Sequence, residues 1–258
     1  MIRIASIDNL SARAYRLSAP NFDHSLRFET PARVNALMAA GHCDAALVPV
    51  AALPVLGRTV EAVGEFGIAC TGPVRSVQLF SEVPVAGLLA AGRPIYATPK
   101  SRTSVELFKI LCLRQYGKLP TLTASYAEGA AHLLIGDAAF EYAQRNGSGP
   151  HNIDLGGWWF AQTGLPFVYA RWVVSTALNT SRKGQVLDWL ASCADKAATE
   201  AGQEALVQGL DMTPEDRLAL QVYYQRLRAR LVVSDVAAQF RFLHLMEGYA
   251  NVHAAPVA

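Results

Sequence analysis

The stretch DLGGWWFAQTGLPFVYARWVV (residues 154–174) constrains the fold more than any other part of the chain. A polar turn and a tryptophan-rich helix run through Thr163-Gly164-Leu165-Pro166 directly into an apolar strand. Such a join sets free backbone N–H groups beside aromatic walls, the makings of a pocket for a small anion. Trp158, Trp159 and Phe160 read first as core residues, with one of them available to wall the pocket. Two earlier segments suit the same pocket: Gly72-Pro73-Val74-Arg75-Ser76 and Ser101-Arg102-Thr103-Ser104.

The 258 residues can bury a full core as one large domain or two smaller lobes. With 52% hydrophobic and 17% charged residues, the chain is globular and not disordered. A formal charge of +2 is too small for a nucleic-acid partner. Arg226, Arg228 and Arg230 read as a solvated helical face. The longest apolar stretch is interrupted by Pro49 and Pro54, so no membrane span is expected. Residues 1–5 lead straight into a strand pattern without signal-peptide features, and the expected location is cytoplasmic. Cys43, Cys70, Cys112 and Cys193 form no C-x-x-C pair and read as buried, reduced thiols. His42-Cys43-Asp44 point in different directions on either a helix or a strand, so no metal site is expected.

Strand-like and helical runs alternate, which predicts an α/β fold. Strands are expected at 2–7, 44–50, 68–70, 76–80, 94–98 and 133–137. Helices are expected at 31–40, capped by Thr30 and stopped by Gly41, and at 104–116. Beyond Ser181 the pattern is helical, at 184–196, 204–208, 214–230 and 236–246, with a disordered tail after Tyr249. Residues 146–150 read as a surface loop. Segments 77–81 and 167–175 are the candidate crossings between lobes. That places residues 1–81 and 169–258 in a discontinuous first lobe and 82–168 in an inserted second lobe, with a cleft between them.

The candidate chemistry lies at strand ends. Ser101, Thr103 and Ser104 sit where a strand becomes a helix; they either cap that helix or, with its free N–H groups, bind a carboxylate. Gly72 lets backbone approach a ligand closely and Ser76 supplies a donor, although the segment also reads as a plain tight turn. Gly136-Asp137 offers N–H groups and a carboxylate that either orients a hydroxyl or caps the next helix. The sequence carries no nucleophile elbow, P-loop, dinucleotide fingerprint or zinc spacing, so any chemistry rests on positioning and electrostatics without a cofactor.

In order along the chain, DAALVPV (44–50), IACTGPVRSVQLFS (68–81), SRTSVEL (101–107), LLIGDAAF (133–140) and DLGGWWFAQTGLPFVYARW (154–172) resemble the chorismate dehydratase family of futalosine-type menaquinone biosynthesis. The resemblance implies a two-lobed type II periplasmic-binding-protein-like fold with an interlobe cleft. It also implies a cofactor-free hydro-lyase converting chorismate to 3-[(1-carboxyvinyl)oxy]benzoate, with a small anionic substrate as its partner. Ser101, Thr103, Ser104, Gly72, Gly136 and Asp137 are then substrate-binding, and Ser76 catalytic. The family usually reads Y-L-N-A-R-P after the first strand, its Asn reaching the substrate. Here Asn9-Leu10-Ser11-Ala12-Arg13-Ala14 places Ser11 at that position, with Asn9 expected on the same face of a strand. The departure leaves open a slower dehydratase, a paralogue for another chorismate-like substrate, or a non-catalytic carboxylate-binding protein.

Overall fold

A computed structural model describes residues 1–99, 101–147 and 149–253, with side chains through residue 249. Among the described residues eleven strands form: β1 (Ile2–Ile7), β2 (His24–Glu29), β3 (Ala45–Pro49), β4 (Val60–Cys70), β5 (Val77–Ser81), β6 (Ile95–Ala97), β7 (Leu122–Thr123), β8 (Ala131–Ile135), β9 (Ile153–Asp154), β10 (Phe167–Ser175) and β11 (Leu227–Arg230). The α-helices are α1 (Pro31–Ala39), α2 (Leu53–Leu56), α3 (Val85–Ala90), α4 (Arg102–Tyr116), α5 (Asp137–Asn146), α6 (Leu155–Thr163), α7 (Thr180–Ala197), α8 (Glu200–Val207), α9 (Pro214–Arg226) and α10 (Val233–His253). A 3-10 helix occupies Leu10–Arg16. The chain divides into two units: Met1–Cys70 with Val168–Val232, and Thr71–Phe167 with Val233–Ala258.

The first unit is built on a mixed sheet of order β11-β4-β10-β3-β1-β2. β1 runs parallel to β2 and β3, while β10 is antiparallel to β3. β3 is buried at every position, as a central strand covered on both faces must be. Thr30 caps α1 through its hydroxyl and Pro31 occupies the first turn, where a missing N–H does no harm. Tyr15, Trp172 and Trp189 interlock edge to face, with ring centroids 5.3 and 5.4 Å apart. The buried Tyr15 hydroxyl lies 2.6 Å from the Gly67 carbonyl and 2.8 Å from that of Ala229, tying the 3-10 helix to β4 and β11. Gly67 lets β4 and β10 approach closely, because a Cβ there would lie 2.5 Å from the Ala170 carbonyl oxygen.

The second unit carries a mixed sheet of order β7-β6-β8-β5-β9. β6 is parallel to β7 and β8, whereas β5 is antiparallel to both β8 and β9. Trp159, Phe167 and Phe242 are fully buried and pack edge to face, and the Trp159 indole donates to the Pro166 carbonyl at 2.9 Å. Trp158 lies against Phe108 and Tyr116.

Several expectations are corrected. The division falls after Cys70, not after residue 81, because β5 pairs on both sides inside the second sheet and does not cross. The C-terminal helix belongs to the second unit, since Phe242 packs on Trp159 and Phe167. Leu227–Arg230 is not the end of a helix: it pairs antiparallel with β4, so the three arginines do not share a helical face. β4 begins eight residues before the expected strand start at Ile68, its outer half being mostly exposed. β2 was missed because His24, Arg27 and Glu29 mask its pattern at an open sheet edge. α10 continues through Tyr249 to His253; the rest of the expected tail, like Ser148 of the expected loop, lies outside the described residues.

All four cysteines are buried and none forms a disulfide. Burial pushes the Cys43 and Cys193 thiols up to about 11 and Cys112 to about 12, which leaves them protonated at neutral pH. Among the described residues no cluster of His, Cys, Asp or Glu can hold a metal ion, and no helix is long and apolar enough to cross a membrane.

Arg3 grips Asp44 from the neighbouring strand: its guanidinium donates at 2.6 and 3.1 Å, and its backbone N–H at 2.8 Å. The side-chain hydrogen bond from Arg3 leads the effects that hold the Asp44 carboxyl below its ordinary range. A lowered folded-state pKa gives stability that is present above the ordinary aspartate value and is lost as pH falls through the folded one. Asp44→Asn is therefore expected to lower stability by about 1 kcal/mol near pH 7, in line with a partly exposed pair. In urea denaturation the difference from the parent protein should disappear as pH falls below about 4. A constant difference down to strong acid would show that the ion pair is not its source.

Candidate functional site

The second sheet directs several chain turns to one edge. β6, β8 and β9 all run opposite to β5 or parallel to its partners, so their C-terminal ends meet the start of β5. Each of those three strands is followed by a helix that begins at the same edge: α4 after Ser101, α5 after Gly136 and α6 after Asp154. A helix cannot satisfy the N–H groups of its own first turn, and its dipole adds about half a positive charge there. Three such ends along one edge favour a bound anion.

Backbone hydrogen bonds hold the edge in register. Gly136 N donates to the Ser76 carbonyl at 2.7 Å, and Thr98 N to the Leu133 carbonyl at 3.3 Å. Gly136 takes φ 57° and ψ −138°, a conformation open mainly to glycine, to turn β8 into α5. Ser101 caps α4: its hydroxyl oxygen accepts from Ser104 N at 3.2 Å and lies 3.0 Å from the Ser104 hydroxyl oxygen. Ser76, Ser101, Thr103 and Ser104 are all buried, which is unusual for hydroxyl side chains at a sheet edge. Capping accounts for Ser101. Asp137 is exposed and forms the first turn of α5, where its charge suits the helix dipole; Gly136, not Asp137, occupies the cap position.

Asp154, not singled out in the sequence, organises this edge. Its Oδ1 accepts from Val74 N at 3.0 Å and Gly157 N at 2.9 Å, while Oδ2 accepts from Arg75 N at 2.5 Å. One carboxylate thus caps α6 and pins the 72–76 turn. Arg75 is held at φ 66°, a left-handed conformation that costs a non-glycine residue about 1–2 kcal/mol. Burial holds the Asp154 carboxyl above its usual range, against the opposing pull of the hydrogen bonds from Gly157, Val74 and Arg75. Pro73 rests on the first turn of α6, where a Cβ on Gly157 would lie 3.2 Å from the proline ring. An Asp three residues before Gly157, at the head of a helix, was the available signal.

Asn9 and Ser11 form a second group, in the first unit. They are not on a strand as expected: β1 ends at Ile7, and Asn9 caps the 3-10 helix that contains Ser11. Their side chains still meet, because the Ser11 hydroxyl donates to Asn9 Oδ1 at 2.7 Å. The same oxygen accepts from Ala12 N at 3.2 Å, so the amide nitrogen is the end of Asn9 suited to donate to a ligand. Gly72, with φ 74° and no atom within 4 Å of a hypothetical Cβ, serves turn conformation and not close packing.

Replacing Asp154 by Ala leaves the part-buried N–H groups of Val74 and Gly157, and the exposed one of Arg75, without their acceptor. The expected loss is about 2 kcal/mol or more in urea denaturation, with Asp154→Asn recovering part of it. An Ala variant as stable as the parent would remove Asp154 from this role.

A family model described as "Menaquinone biosynthesis" matches residues 3–247. Over 196 residues the chain is 31% identical to the chorismate dehydratase of Thermus thermophilus, a match covering 62% of this chain and 69% of that protein. Among solved structures, a protein from Archaeoglobus fulgidus superposes with a TM-score of 0.70 at 17% identity, covering 97% of this chain and 98% of the other. The alkanesulfonate-binding protein SsuA of Xanthomonas axonopodis pv. citri, bound to MOPS, gives 0.65 at 13% identity, covering 98% and 92%. The periplasmic aliphatic sulphonate binding protein SsuA of Escherichia coli gives 0.64 at 15%, covering 99% and 94%. The α/β fold with two mixed sheets is thus that of periplasmic binding proteins, as expected.

Proposed function

This chain belongs to the menaquinone biosynthesis family, and from that premise we propose that it is a cofactor-free carbon–oxygen lyase dehydrating chorismate to 3-[(1-carboxyvinyl)oxy]benzoate. The observation that carries the reading is the 31% identity to a chorismate dehydratase. The edge of the second sheet, with its buried hydroxyls and helix N-termini, supports it.

In the proposed reaction a proton leaves C3 of the ring and the C4 hydroxyl leaves with a proton, so water is lost and the ring becomes aromatic. Charge released at C3 spreads through the diene onto the ring carboxylate. A site therefore needs to hold that carboxylate more tightly as its charge grows. The α4 N-terminus, with Thr103 and Ser104, takes this role, while Ser76 and the Gly136 turn hold the remaining oxygens. In the resemblance, Ser11 stands where the family's Asn reaches the substrate, with Asn9 hydrogen-bonded to it. The substrate's side-chain carboxylate is the proposed base.

Ser11 favours a second reading, a paralogue acting on another chorismate-like substrate. A hydroxyl has a shorter reach than the usual amide, and this one donates to Asn9. Losing one optimised transition-state hydrogen bond lowers a rate by about 100–1,000-fold.

Incubating the purified protein with chorismate, with ultraviolet absorbance and mass spectrometry following loss of water, is expected to show dehydration. Ser11→Asn is expected to accelerate it. If both proteins leave chorismate unchanged, the dehydratase reading fails. Ser104→Ala should raise KM for chorismate about tenfold with an unchanged melting temperature; an unaltered KM would take Ser104 out of the site.

A further inference from the structure

Two residues at the edge of the second sheet are placed against local preference, and both are arginines. Arg75, at φ 66°, is the one non-glycine residue with a positive φ among the described residues. The Asp154 carboxylate keeps it there by accepting from its N–H. Arg102 opens α4, whose first turn contains no acidic side chain. The helix dipole puts partial positive charge at that end, so a cation there is unfavourable. Neither placement helps the chain to fold. Groups that a fold holds at a cost cluster where ligands bind.

Both side chains are exposed, and neither guanidinium has a hydrogen-bond or ion-pair partner among the described residues. Nearby acids are committed elsewhere. Asp154 accepts from three backbone N–H groups, Glu106 pairs with Lys109 at 3.1 Å, and Asp137 interacts within the protein.

The two arginines flank β8. The 72–76 turn leads into β5 on one side of it, and α4 follows β6 on the other. Two strand spacings, about 10 Å, therefore separate the segments. Gly136 lies between them, tied to the Ser76 carbonyl at 2.7 Å. Long side chains rooted that far apart can close on opposite ends of a molecule the size of a substituted benzene ring. A guanidinium matches a carboxylate in shape as well as charge, because its planar fork donates two parallel hydrogen bonds.

We propose that Arg75 and Arg102 are anion-binding residues that select a small ligand carrying two carboxylates, one guanidinium to each. Their role rests on this edge being the proposed substrate site, but not on that substrate being chorismate. A carboxylate at Arg102 also reverses the misplacement of charge at the start of α4.

The test titrates the full chain with isophthalate, a dianion, and with benzoate, the matching monoanion, and follows backbone amide shifts. Isophthalate is expected to perturb Ser76, Thr103 and Gly136 and to bind about tenfold more tightly than benzoate, the worth of one charge-assisted hydrogen bond. Arg75→Gly and Arg102→Gln should each lower isophthalate affinity about tenfold. Glycine suits the left-handed turn, so Arg75→Gly should melt no lower than the parent, and a purely structural Arg75 would show no loss of affinity. Absent isophthalate binding, shifts confined to other residues, or equal affinity for the two probes would overturn the assignment. So would parent-like affinity in either single variant. Isophthalate binding at this edge without chorismate dehydration removes the dehydratase and leaves the arginines in place. Dehydration by a protein whose isophthalate shifts lie elsewhere does the reverse.

Discussion

The first turn of a helix carries N–H groups that its own backbone cannot satisfy, and much of the second unit's chemistry follows from where three such turns lie. β6, β8 and β9 end at one edge of their sheet, and α4, α5 and α6 start there. Two of these ends are partly neutralised from within. Ser101 closes part of the first turn of α4, and the Asp154 carboxylate closes part of that of α6. What remains is a short polar rim with buried hydroxyls and Gly136 at its centre. The antiparallel course of β5 brings Ser76 to the same rim, because the strand begins where its partners finish.

Asp154 shows how a single half-buried carboxylate joins sequence-distant parts. Its ties to Val74 and Arg75 span about eighty positions along the chain. They offset the unfavourable backbone conformation of Arg75 and set the turn that leads into Ser76. The carboxylate reads as one residue of a motif in the sequence; its role becomes visible only when the turn lies against it.

Much of the architecture was legible because buried strands and capped helices leave short-range marks. β1, β3, β6 and β8, together with α1 and α4, fall close to their expected bounds, since uninterrupted apolar runs, a Thr-Pro start and terminal glycines act locally. The elements that escaped notice lie at sheet edges or follow a helix without a break. β2 is half-polar, β7 and β9 are two residues long, and β11 continues from α9 with no proline or glycine between. Asn9 and Ser11 were correctly paired but wrongly placed on a strand, because a short 3-10 helix also brings residues two apart within reach of each other.

The sequence by itself determined the fold class and the family, because ordered motifs and strand–helix punctuation depend only on neighbouring residues. Tertiary structure alone decided which unit each segment joins and that Asp154 holds the 72–76 turn. Those outcomes depend on strand direction and on close backbone approach between elements far apart in the chain, and neither leaves a local trace.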